Sequence, residues 1–201
     1  MHTYVIERSP ANIGIFLFNE VEVLDFAGAF EVFSLAESEG VKAFNVFTVS
    51  ETGTMISARN GLMVVPHYSF GNHPPIDVLI IPGGYGAEHV EILNPVVLEW
   101  IKKCQTTAAL TASICTGAFL LAEAGLLNGI NATTHWMDYE RLESEYPKVN
   151  VIRDVKYVDQ GSIMTAGGIS AGINLCLHIV SCLQGEASAR HIARKMEFDT
   201  D

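Results

Sequence analysis

Apolar residues in this chain fall into short blocks, and glycine, proline or polar segments separate them. Asn12–Phe18, Phe44–Val49, Asp77–Ile81 and Ala108–Ala112 read as strands buried on both faces, because nearly every position is apolar rather than every second one. Between them the period changes. Phe26, Ala29, Phe30, Phe33 and Ala36 recur at helical spacing and predict a helix from Asp25 to about Ser38. Further helices are expected over Pro95–Gln105, Met137–Glu145 and Ser170–Leu183, the last strongly apolar and starting just after Gly167-Gly168. Arg59-Asn-Gly61 lies between Met55–Ser57 and Leu62–Val65, and Asn-Gly there predicts a hairpin. A short strand over Ala132–Thr134 and a late hairpin, Val155–Val158 with Ser162–Thr165, complete the pattern.

Strands alternating with helices predict an α/β fold with a mostly parallel sheet covered on both faces. In such sheets the reactive crevice lies at the carboxyl ends of the strands. Three strand ends finish in chemically useful residues: Asp25 after the first, Gly83-Gly84 after the fourth and Cys115 after the fifth.

The stretch Ala108–Gly125 is the most informative. An apolar strand ends at Cys115, Thr116-Gly117 follows, and an alanine- and leucine-rich helix begins. This order predicts a strand-to-helix elbow that presents the cysteine side chain. Unpaired N–H groups at the helix start favour a thiolate and offer oxyanion donors, so Cys115 is read as a nucleophile rather than a packed thiol. Asp25 has two readings, the N-cap of its helix, which its position favours, or a carboxyl group beside the sulfur that carries a proton at neutral pH. Thr116 either caps the elbow helix or sets its hydroxyl near the reacting atoms. Gly83-Gly84 makes a tight turn and brings backbone N–H groups close to a ligand. His135 is either a satisfied, partly buried histidine or the one imidazole that a strand end carries into the crevice. His67, His73, His89 and His191 are expected to face solvent, and His178, Cys176 and Cys182 to pack within their helix. Gly167–Ser170 lacks the spacing of a dinucleotide-binding loop.

Composition narrows the classes. The 201 residues are expected to form one domain with its core over about 12–198. A formal charge of −11 with no basic stretch argues against nucleic acid. Cys104, Cys115, Cys176 and Cys182 show no C-x-x-C spacing and no paired histidines, so no zinc site is expected. Met1–Arg8 lacks the pattern of a secretory leader and no apolar run is long enough to span a bilayer, which together predict free thiols in a reducing cytoplasm.

With Asp25, Pro82–Gly84, Ser113–Gly117, Thr133–Trp136 and Ala166–Gly172 in order, the chain resembles the DJ-1/PfpI superfamily from about Ile13 to Phe198. The resemblance implies a flavodoxin-like three-layer sandwich, a cysteine on the nucleophile elbow and a homodimer. Cys-Thr-Gly, Thr-Thr-His-Trp, Leu24–Gly28 and Met196–Phe198 look more like the isonitrile hydratases than the protease-like members, which carry histidine where this chain has Thr116. That similarity maps the nucleophile to Cys115, the essential aspartate to Asp25 and the neighbouring hydroxyl to Thr116. It implies a small-molecule substrate in a small, largely apolar pocket touched by Thr116 and Gly84, with no cofactor and no metal. Related chains read Asp-x-x-Gly-Pro where this one has Ala29 in place of proline. The alternatives are a redox or ligand sensor, akin to the sensor domains of AraC-type regulators, or an amidase- or glyoxalase-type hydrolase. The chain ends at Asp201 without room for a helix-turn-helix module, so direct DNA contact is not expected.

Overall fold

The computed structural model describes residue 6, residues 9–38 and residues 40–199. All of Met1–Arg8 except Ile6, the stretch on which the leader expectation rests, lies outside them.

The buried runs join in one seven-stranded sheet: β1 (Ala11–Phe16), β2 (Phe44–Ser50), β3 (Tyr68–Ser69), β4 (Val78–Ile81), β5 (Leu110–Ser113), β6 (Tyr157–Asp159) and β7 (Ile163–Ala166). Their order is β6-β7-β5-β4-β1-β2-β3. β6 pairs antiparallel with β7, and the remaining neighbours are parallel. Every residue of β1, β4, β5 and β7 is buried, which accounts for their lack of alternation. Ile13, Ile15, Leu79, Ile80 and Leu110 are almost wholly removed from water, at roughly 1.5–3 kcal/mol each.

Helices flank this sheet: α1 (Val23–Ser34), α2 (Tyr85–His89), α3 (Pro95–Thr107), α4 (Gly117–Glu123), α5 (Tyr139–Glu145), α6 (Ala171–Gln184) and α7 (Glu186–Lys195). α1 packs on β1 and against α6, while α4 packs on β4 and β5 with α2 and α3 beside it. This is the mostly parallel α/β architecture of the flavodoxin-like class.

The departures from the sequence pattern have local causes. α1 stops at Ser34 rather than Ser38. Beyond it the chain turns polar, and Glu37–Ser38 pairs with Val41–Lys42, with Gly40 at φ 78° between them. Thr133 and Thr134 do not extend the short strand Asn131–Ala132, because their polar groups bond across the fold instead. Tyr85–His89 and Glu186–Lys195 are helices that the pattern did not announce, the first only five residues long and the second amphipathic with few large apolar residues. The Asn-Gly hairpin forms between Ile56–Ser57 and Met63–Val64, with Asn60 and Gly61 both at positive φ.

Candidate active site

Register brings the chemistry together. Ile81 is level with Ser113, Thr165 with Ser113, and Ile15 with Ile80, so β1, β4, β5 and β7 finish along one edge. Four strand ends meet there instead of the three expected. The fourth is Gly167-Gly168-Ile169 after β7.

Cys115 follows β5 by two residues and sits at φ 55°, in the left-handed region that costs a non-glycine residue on the order of 1–3 kcal/mol. Its backbone is tied at both ends. The Cys115 N–H donates to Gly167 O (3.0 Å), and Thr134 Oγ1 donates to Cys115 O (3.0 Å). Close approach fixes the turn from below: a Cβ on Gly117 would lie 2.2 Å from Ile81 O, and one on Gly83 would lie 2.5 Å from Thr116 N. The elbow is held by contacts that only glycine permits.

Asp25 is not an N-cap. α1 begins at Val23, its N-cap is Glu22, and Asp25 lies in the first turn with no exposed surface. Its Oδ2 accepts the Gly83 N–H (2.9 Å), while Oδ1, among the described residues, has no hydrogen-bond partner. Burial pushes this carboxyl up to about 8, against the Gly83 hydrogen bond and with help from Glu22. At neutral pH Asp25 therefore holds a proton.

The sulfur differs from the sequence expectation. Burial first, and then the Asp25 charge, push the Cys115 thiol up to about 12, while N–H groups of Thr116 and Ile169 bonded to the sulfur pull it down. The helix-start donors are present but do not outweigh desolvation, so the resting group is a thiol. Ile169, at φ 44°, was not anticipated as a site residue; its only signal was the Gly167-Gly168 pair before it.

Thr116 does not cap α4 through its side chain. Its Oγ1 accepts the Gly84 N–H (3.0 Å), so that N–H is engaged by the protein and not aimed at a ligand. Gly84 is required all the same, at φ 122° with Glu20 O and Glu22 N each 2.5 Å from where a Cβ would stand.

A cleft of about 390 Å3 opens over the elbow, within the range of small-molecule sites. Cys115, Thr116, Gly84, His135 and Ile169 line it; Asp25 does not and lies beneath. His135 rests against Gly168, where a Cβ would come within 2.1 Å of the ring, and its Nδ1 accepts the Met137 N–H (3.4 Å). The exposed lining of the cleft is more apolar than polar, as expected. Glu22, Arg59, Glu88 and Asp138 line it as well, and Arg141 donates to Glu88 (2.6 Å). Burial and then Glu88 push the Asp138 carboxyl up. These charged residues sit on loops and on α2, where sequence periodicity carries no signal.

Elsewhere, all four cysteines are free. Cys176 is fully buried as expected, but His178 is partly exposed and hydrogen-bonded to Asp159 rather than packed in the core. His73 is half-buried and accepts from Trp100 Nε1 (3.1 Å) rather than facing solvent. Among the described residues no helix is long and apolar enough to cross a membrane.

Comparison with known proteins follows the same lines. The isonitrile hydratase of Pseudomonas putida is 33% identical over 92% of this chain and 78% of its own length. The HTH-type transcriptional regulator GbdR of Pseudomonas aeruginosa is 26% identical over 96% of this chain, which spans only 52% of that regulator. A crystal structure of a ThiJ/PfpI family protein from Pseudomonas syringae superposes with a TM-score of 0.85 at 24% identity, covering 97% of this chain and 79% of that one. The DJ-1/PfpI family model matches residues 11–182, and the chain belongs to the DJ-1/PfpI family.

Proposed function

We propose that the protein is an isonitrile-hydratase-like lyase with Cys115 as nucleophile and Asp25 as proton carrier. The observation that carries this reading is a fully buried carboxyl group, one oxygen held by the Gly83 N–H and the other, among the described residues, without a partner, whose ionisation acts on the Cys115 sulfur. The 33% identity to an isonitrile hydratase supports the substrate class.

The resting thiol suits this chemistry. An isonitrile, R–N≡C, takes a nucleophile and a proton at the same terminal carbon. Addition of Cys115 S–H across that carbon gives R–N=CH–S–Cys115, with the proton delivered through Asp25, so no standing thiolate is needed. N–H groups of Thr116 and Ile169 stabilise the sulfur's charge as the proton departs. Water then adds to the thioimidate, the C–S bond breaks, and R–NH–CHO leaves with the thiol restored. The charged residues at the cleft, Glu22, Arg59, Glu88 and Asp138, suit a reaction that consumes water. Asp25 returns the proton in the second half and ends as it began. The homodimer that the resemblance implies belongs to the same proposal, and sedimentation of the purified chain tests it.

Formamide production by the purified protein is the direct test. Turnover of alkyl or aryl isonitriles is expected; none across a panel of both kinds removes the reading. A second reading, a non-enzymatic redox or ligand sensor, draws on the match to the transcriptional regulator GbdR. Peroxide titration followed by peptide mass analysis separates the two. A sensor oxidises at Cys115 well before Cys104, Cys176 or Cys182, whereas uniform oxidation rejects it.

A further inference from the structure

At the far edge of the sheet a second cysteine meets a carboxylate and an imidazole. His178 and Cys182 stand one turn apart on α6, and Asp159 ends the edge strand β6. Asp159 Oδ2 lies 2.9 Å from His178 Nε2, Cys182 Sγ lies 3.6 Å from the same nitrogen, and the three ligand atoms all lie within 4.8 Å of one another. We propose that Asp159, His178 and Cys182 form a binding site for a divalent transition-metal cation of the zinc type.

Three observations favour a cation over a second nucleophile. A relay needs the carboxylate and the thiol on opposite ring nitrogens, but here both converge on Nε2. Convergence on one point is what a cation exploits, and tetrahedral coordination sets donors roughly 3.3–3.7 Å apart. The Cys–His separation already fits and the Asp–His pair widens slightly as the metal replaces the Nε2 proton. Next, the donors are pre-positioned. Asp159 Oδ1 accepts the Gly161 N–H (2.8 Å), which aims Oδ2 at the histidine, and Tyr157 stacks on the imidazole with centroids 4.7 Å apart. Last, all three side chains are partly exposed, so a cation reaches them and keeps water as its fourth ligand. A mixed O, N and S donor set suits zinc over magnesium or calcium. Binding releases the Cys182 proton and tethers the edge strand to α6. Sequence spacing hid this site because Asp159 comes from a different element.

Cobalt(II) is the probe, added to the full chain carrying Cys115→Ser so that the cleft thiol contributes nothing. One cobalt per chain is expected, with a near-ultraviolet thiolate-to-metal band that stoichiometric zinc removes. Cys182→Ser in the same background abolishes the band. Asp159→Asn still accepts the Gly161 N–H and keeps the hairpin, yet weakens zinc binding at least about tenfold and loses the zinc-induced rise in Tm. Absence of the band at millimolar cobalt, or a band that survives Cys182→Ser in a protein with native circular dichroism, overturns the proposal. So does undiminished zinc affinity in Asp159→Asn.

Discussion

Cys115 and Cys182 each stand beside a carboxyl group, and the two regions put that pairing to opposite uses. At the elbow the carboxyl is Asp25, shut away from water, with one oxygen fixed by the Gly83 N–H and the other, among the described residues, unpartnered. At the sheet edge it is Asp159, partly exposed, with both oxygens bonded. The elbow cysteine sits in a strained backbone held by Gly167 and Thr134, whereas Cys182 sits in an ordinary helix. Desolvation makes the first pair a reservoir for protons. Exposure and the added imidazole make the second a set of metal donors.

The comparison breaks most sharply at Cys115→Ala. Isonitrile turnover is expected to fall by at least on the order of 10^3-fold, because the covalent step is lost outright. The cobalt band at Cys182 should survive unchanged, which shows the two regions to be independent. Loss of both signals at once would mean that the substitution damages the fold.

Asp25→Asn comes next. Turnover should drop by on the order of 10^2–10^4-fold, since an amide cannot exchange a proton at neutral pH. From the sequence alone, a protonated Asp25 donating to the sulfur predicts a rise in the Cys115 pKa on this change. The structure reverses the sign. The thiol titrates above the carboxyl, so the Asp25 charge opposes thiolate formation, and removing it lowers the thiol pKa. The rate of Cys115 alkylation against pH, followed by peptide mass analysis, checks the direction. Full activity in a stable Asp25→Asn protein would deprive Cys115 of its proton partner.

Stability gives a smaller but cleaner contrast. The native state holds the Asp25 proton up to about pH 8, whereas the unfolded chain releases it near 3.8. A group raised in this way supports the fold fully below pH 3.8, and that support is lost as pH rises toward 8. Asp25→Asn should therefore match the parent near pH 4 and exceed it at pH 7.5, by on the order of a few kcal/mol in urea unfolding. Parallel urea midpoints at the two pH values would contradict the buried, protonated assignment.

Much of this was legible in the residues. Unalternating apolar runs located β1, β2, β4 and β5, and the break at Cys115 located the elbow, because both are local properties of the chain. What the residues withheld depends on distance in space. Asp25 reads as a cap until α1 is seen to start at Val23 and Gly83 to reach it. Gly84 looks like a free donor until Thr116 occupies it. The thiolate expectation weighed the helix start and had no measure of burial. The charged rim of the cleft arises from α2 and from loops whose neighbours only the fold supplies. His178 looked like core because its helix is apolar, although its ring faces the edge strand.

Thr134 offers the finest test of how the elbow differs from an ordinary helical cysteine. Its hydroxyl donates to the carbonyl of Cys115, the residue whose left-handed backbone needs outside support. Thr134→Val keeps the shape, removes the donor and leaves that buried carbonyl with one fewer partner. The expected loss of stability is about 1–2 kcal/mol. The sulfur should also be less well placed, so turnover should fall roughly tenfold through kcat with KM little changed, as misplacing a reacting atom requires. Thr134→Ser restores the donor and should recover most of both. If valine lowers stability and leaves kcat intact, Thr134 only holds the fold together, and the remaining ties from Gly167 and the glycine contacts suffice to aim the thiol.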